Sequence, residues 1–152
     1  MKIFRKHMVM NNNRIFWFLI GWVTLVTSCS ITPPYSEQAL KNATDLKADS
    51  LTLLEKSEQS YSTYRNDAEE IEKQLRRAYE YSKGRPNNEE AVAQYEIMLD
   101  SNRRMLAGLL KRWKEKGTLG SQVAREESIL NVSDGWDTII ALETGRQAPK
   151  NN

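Results

Sequence analysis

Any chemistry in this chain must come from a short inventory: one cysteine, Cys29, one histidine, His7, and three carboxylate clusters. The clusters are Glu69, Glu70 and Glu72, the pair Glu126 and Glu127, and Asp134 with Asp137. The last two stand at i, i+3, which puts both on one helical face. Two carboxylates across a cleft could hydrolyse a glycosidic bond, and two on one face could hold a hard cation, but the calcium-loop spacing is missing. With opposite charges close by in sequence, these clusters read as solvated helix faces. Arg103, Arg104, Lys111, Arg112, Lys114 and Lys116 surround Trp113 and form a strong positive run. Such a run suits the end of a helix, where the dipole favours cations, or contact with anionic lipid headgroups or a polyanionic envelope polymer. A lone cysteine forbids any disulfide within the chain.

Cys29 gains meaning from what precedes it. Residues 1–28 carry Lys2, Arg5, Lys6 and Arg14, no acid, and an apolar run over 15–26. That run is shorter than the roughly 20 residues a bilayer-spanning helix needs, and it matches the hydrophobic region of a signal peptide. Val26, Thr27 and Ser28 then lead into Cys29. A branched apolar residue, two small residues and a cysteine resemble the lipobox of bacterial lipoproteins. The resemblance implies cleavage before Cys29, a thioether from its sulfur to diacylglycerol, and a further acyl chain on the freed amine. One myristoyl-length chain anchors only marginally, at about 0.8 kcal/mol per buried CH₂, so two or three chains hold such a protein on its membrane. Ser30 stands where inner-membrane retention in many Gram-negative bacteria favours Asp, which implies the outer membrane, facing the periplasm. A start at Met1 or at Met10 gives the same mature chain.

Cleavage would reverse the charge balance. Residues 1–28 take four of the 22 basic residues and none of the 20 acidic ones, so 22 against 20 becomes 18 against 20 and a formal +2 becomes −2. The apparent basicity belongs to the signal, and no nucleic-acid partner is expected. His7 leaves too. With no histidine and an acylated cysteine, the mature chain has no Ser–His or Cys–His system and no zinc site built on those ligands. The expectation is a protein that is not an enzyme and has no cofactor beyond the lipid on Cys29.

The elements that must position the other residues read as helices. Gly or Pro falls near 33–34, 84–86, 117–120 and 145–149, with long runs between, which is the punctuation of three helices. The first is predicted from Ser36 as N-cap to Lys83, ended by Gly84 and Pro86. Asn87 or Asn88 caps the second, with Glu90 in a capping-box position, and Gly117 ends it. Ser121 opens the third, which reaches Thr144. Leu40, Ala43, Leu54, Tyr61, Tyr64, Ala68, Ile71, Leu75 and Ala78, filled by Ser50 and Ser57, keep a three–four repeat along the first. Val92, Tyr95, Leu99, Asn102, Leu106, Leu109 and Trp113 keep it along the second, widened by Met98 and Met105. Ile129, Val132, Trp136, Ile139 and Ile140 keep it along the third. The serines and tyrosines of 57–63 could break the first helix and give a four-helix bundle, and 133–135 could split the third or turn a hairpin. Because 57–63 holds no Gly or Pro, continuity is the expectation. The fold class is all-α: an antiparallel three-helix bundle or extended helical hairpin with a long first helix. The helical domain spans 36–146, after a lipidated cysteine and tether at 29–35 and before a disordered tail at 147–152.

Length then matters. At 1.5 Å per residue the first helix would be about 70 Å long, the second about 44 Å and the third about 36 Å. The shorter two cannot cover the first, which predicts an unpaired stripe of Leu40, Leu46, Leu51 and Leu54 near the membrane, and with it self-association or a partner helix from another envelope protein. The same geometry gathers Lys83, Arg85, Asn87, Asn88, Glu143 and Arg146 at the distal tip, the first place to look for a recognition site. Residues 78–89, 109–119 and 135–146 resemble a group of small helical bacterial lipoproteins with no assigned function. That resemblance spans 78–146, implies an envelope lipoprotein and carries over no catalytic or ligand residue. The function expected is a non-enzymatic structural or interaction component of the cell envelope. A phage or mobile-element lysis or exclusion lipoprotein is the alternative, and a carboxylate-dependent enzyme or metal-binding protein a distant third.

Overall fold

The computed structural model describes residues 33–145, so Cys29 with the lipobox-like run before it, Arg146 and the tail expected at 147–152 lie outside the described residues. Ser36 opens helix α1, Glu37–Glu55, by accepting the Ala39 N–H on its hydroxyl at 3.2 Å. This satisfies one of the donors a helix start leaves free. Ser121 does the same for the last helix through Ala124 N–H. Both caps stand where the sequence places them.

The first helix does not run on to Lys83. It ends at Glu55, a short 3₁₀ turn follows at Tyr61–Thr63, and α2 spans Arg65–Lys83. No Gly or Pro causes this break. Side chains and distant backbone take over the hydrogen bonds that a continuous helix would make. Ser57 Oγ donates to the Leu54 carbonyl, the local competition that weakens serine inside helices. The Ser57 carbonyl accepts from Leu119 N–H at 2.8 Å, the Gln59 carbonyl accepts from Trp113 Nε1 at 2.9 Å, and Tyr61 N–H donates to the Gly117 carbonyl at 2.9 Å. Tyr61 and Tyr64 pack on Trp113 with ring centroids 5.6 and 5.9 Å away.

The second predicted helix also divides, into α3, Glu89–Leu99, and α4, Leu106–Lys116. Asp100 turns the chain: its carboxylate accepts Asn102 N–H at 2.9 Å and its carbonyl accepts Arg103 N–H at 3.2 Å. This is the aspartate turn that competes with helix. Asn102, expected inside the apolar repeat, is exposed in that turn. Gly117 ends α4 with φ 82, a conformation glycine adopts without strain. Helix α5, Gln122–Glu143, runs unbroken through Gly135.

Four of these helices close a ring: α1 packs on α2 and α5, α2 on α3, and α3 on α5. Neighbours run antiparallel. Ser36 Oγ at the start of α1 lies 3.0 Å from the Tyr81 hydroxyl near the end of α2, and Asn88, before α3, reaches Glu143 at the end of α5. Helix α4 lies in the connection from α3 to α5 and closes the far end of the ring against the 3₁₀ turn. Its Trp113 is fully buried, as are Trp136, Tyr95, Leu75 and Met98. Trp136 stands edge-on to Tyr95 at 6.1 Å and donates to buried Ser50 at 2.9 Å. Ser50 and Ser57 therefore fill core positions, as the repeat implies.

Folding the first helix back on itself removes the unpaired stripe. Leu46 and Leu54 are buried between α1 and its neighbours, and Leu40 and Leu51 are half-buried. The expected self-association or partner contact through this helix thus loses its apolar basis. Among the described residues there is no strand, and no helix is long and apolar enough to cross a membrane.

Candidate functional site

Of the residues expected at a distal recognition tip, Arg85, Asn88 and Glu143 meet, but at the end of the bundle where the described chain begins, and largely inside it. Glu143, in the last turn of α5, is 1 % exposed, and it pairs with Arg85, whose side chain is 10 % exposed. Ser82 Oγ donates to Glu143 at 3.0 Å. Asn88 Nδ2 donates to the Ser82 carbonyl at 3.1 Å and also reaches Ser82 Oγ and Glu143. Asn88 occupies the N-cap position of α3 without capping it; its side chain turns inward, which leaves Oδ1 buried without a partner. Charges taken this far from water persist only when paired and hydrogen-bonded.

Arg85 has a second task. Its Nη2 donates to the Pro34 carbonyl at 2.6 Å, fastening the chain just ahead of α1 to the α2–α3 turn. The tip is therefore beside residue 34, not at the far end from it. Of the other residues expected there, Lys83 is exposed, with its ammonium 5.5 Å from the Tyr79 ring, and Asn87 is exposed with φ 55. Arg146 lies outside the described residues. Tyr95 lies close enough for Glu143 to act on it: burial first, and then the carboxylate charge, push its hydroxyl well above the usual tyrosine range. Ser82 is a member that sequence spacing does not single out, because a serine inside a polar helix end gives no signal until Glu143 is brought against it.

The basic run sits at the opposite end, on α4 and the turn before it. Trp113, which stands among these cations in sequence, belongs to the core, as its place in the apolar repeat implies. Arg103 pairs with Asp100 at 3.2 Å. Arg112 lies along the helix, with Nη1 donating to the Arg103 carbonyl at 3.2 Å and Nη2 buried without a partner. Burial, and then the field of Arg104, lower its affinity for the proton. Arg104, Lys111, Lys114 and Lys116 are exposed, and among the described residues none has a carboxylate within ion-pair distance. The turn carrying Arg103 lies directly on α4 at Gly108, where a methyl group would overlap the Arg103 carbonyl oxygen.

The carboxylates do not converge. Asp137 pairs with Lys47, Glu72 with Arg76, and Glu126 accepts from Gln122. Glu70 accepts from Gln74 and Lys73, and these contacts hold it below the usual carboxylate range. Asp134 is exposed. Among the described residues no three His, Cys, Asp or Glu side chains form a group suited to a metal. An open groove of 380 Å³ runs between α1 and α2, floored by Leu53, Tyr64 and Ile71 and edged by Asp49, Asp67 and Glu70. Comparison with known proteins gives no matching family model, no matching curated protein and no matching solved structure.

Proposed function

We propose that this chain is a lipid-anchored component of a bacterial cell envelope that works by contact rather than by catalysis. The observation that carries the reading is the run Val26-Thr27-Ser28-Cys29 directly after a short apolar segment with a basic start. The bundle is compatible with it. Helix α1 begins at Glu37, and Arg85 already holds the chain at Pro34, so only residues 30–33 lie between Cys29 and that clamp, at most about 3.6 Å each. The nucleophile–base pairs common in hydrolases need a histidine or thiol, and the sequence has neither after Cys29.

The test is metabolic labelling of producing cells with an alkyne-bearing palmitate. The expected outcome is a labelled protein in the outer-membrane fraction, and an unlabelled, larger Cys29→Ser protein that keeps its signal. Equal labelling of Cys29→Ser, or an unlabelled native protein recovered from the soluble fraction, would overturn the reading.

A further inference from the structure

We propose that Arg104, Lys111, Lys114 and Lys116 form a binding surface for a linear polyanion bearing carboxylate or phosphate groups. Two of these charges have an ordinary explanation, since Lys114 and Lys116 stand in the last turn of α4, where the helix dipole favours cations. The other end of the same helix reverses that argument. Arg103 and Arg104 immediately precede α4, whose first turn has no acid and whose N-cap has no side-chain hydrogen bond. Positive charge at a helix start is unfavourable, and only Arg103 is relieved, by Asp100. Arg104 and Lys111 have neither a dipole nor an ion pair to account for them.

Lys111 and Lys114 stand three residues apart and so share one face of α4, and the turn that carries Arg104 is held against the same helix at some cost. Arg112 anchors the Arg103 carbonyl while its own Nη2 stays buried and unpartnered, and Gly108 lets the turn lie on the helix backbone. Arg112 is thus a positioning residue: it fixes the turn that presents Arg104 beside the helix carrying Lys111. The only carboxylate on α4 is Glu115. Burial first, and then the charge of Arg104, lower the proton affinity of Arg112, and an anion beside Arg104 would offset the second of these.

A soluble polymer fits better than a bilayer surface. Helices that lie on membranes present apolar side chains among their lysines, whereas Leu106, Leu109, Leu110 and Trp113 of α4 are all buried in the bundle. The surface also lies at the end of the bundle opposite Pro34. If the chain is anchored through Cys29, as proposed above, that end points away from its own membrane. The choice of polymer over bilayer rests partly on that reading, but polymer binding itself does not need the lipid.

The experiment uses the full chain in a non-ionic detergent, titrated with long-chain inorganic polyphosphate and with poly-glutamate at several salt concentrations. A parallel titration uses vesicles of phosphatidylcholine with one-fifth phosphatidylglycerol. Polymer binding should weaken steeply with salt, and Lys111→Glu with Lys114→Glu should lose about tenfold or more in affinity and flatten the salt dependence. Glu115→Gln should bind more tightly. The same charge change on α2, Lys73→Glu with Arg76→Glu, should lose less than about twofold. Equal losses from the α4 and α2 variants, no binding to either polymer, or vesicle binding that exceeds polymer binding would each overturn the proposal. Cys29→Ser should bind polymer as the native chain does, so failure of the anchor and failure of this surface are read separately.

Discussion

Two glycines occupy crowded places, and the identity of their neighbours decides what an added methyl group would do. At Gly108 the obstacle is the Arg103 carbonyl oxygen, backbone held by Arg112. At Gly135 the obstacles are the ends of flexible side chains, Met105 Cε at 2.6 Å and Met98 Sδ at 2.9 Å. Gly108→Ala should therefore cost about 2–3 kcal/mol by overpacking against a group that cannot step aside. Gly135→Ala should stay within about 1 kcal/mol of the native chain, because the gain in helix propensity offsets the repacking of methionine. Urea denaturation followed by circular dichroism measures both, and a larger loss for Gly135→Ala would contradict the packing described. The Glu143 network invites a similar contrast. Arg85→Met leaves a buried carboxylate uncompensated and should cost about 3–5 kcal/mol. Adding Glu143→Gln, which removes the charge but still accepts from Ser82, should restore at least half of that loss in a double-mutant cycle.

At the scale of elements, the apolar repeat and the breaks in it have different origins. Ala43, Leu54, Ala68, Ile71, Leu75 and Ala78 are buried as their spacing requires, because a repeat of three and four records which face a helix buries. The caps at Ser36 and Ser121 and the stop at Gly117 were equally legible, since each depends on local backbone chemistry. The break after Glu55 was only half written in the sequence. Its serines and tyrosines weaken a helix, but the bonds that compensate come from Trp113, Gly117 and Leu119, far along the chain. The break at 100–105 had a local signal in Asp100, Ser101 and Asn102, masked by an apolar repeat that happens to continue across it. Hence Arg85 and Glu143 are legible in the sequence as one group, whereas their place beside Pro34 depends on the hairpin. A continuous first helix would hold positions 38 and 80 about 63 Å apart, whereas the hairpin brings this region of α1 beside the end of α2. Spin labels at Gln38→Cys and Glu80→Cys, in a Cys29→Ser background, should give an electron–electron distance below about 25 Å. A distribution centred near the longer value would restore the single helix.

For the whole molecule, the consequence of that hairpin is polarity from end to end. Pro34, the Arg85–Glu143 pair and the close of α5 share one end, and Trp113 with the basic surface of α4 holds the other. The two are separated by the length of α1, whose 19 residues span about 28 Å. If the chain is anchored by lipid at Cys29, as proposed, the clamp at Pro34 would present these ends unequally to the membrane, with the Lys83 end near the headgroups and the Lys116 end standing off. Fluorophores placed singly at Lys83→Cys and Lys116→Cys, with the anchor kept intact by selective labelling in reconstituted vesicles, can be compared using a quencher fixed to the lipid headgroups. Quenching should be strong at 83 and weak at 116, and it should become weak at both sites when Cys29 is replaced by serine and the protein leaves the membrane. Equal quenching at the two sites in the anchored protein would mean that the bundle lies flat. In that geometry the α4 lysines meet the bilayer itself, and the preference for a soluble polyanion would lose its geometric support.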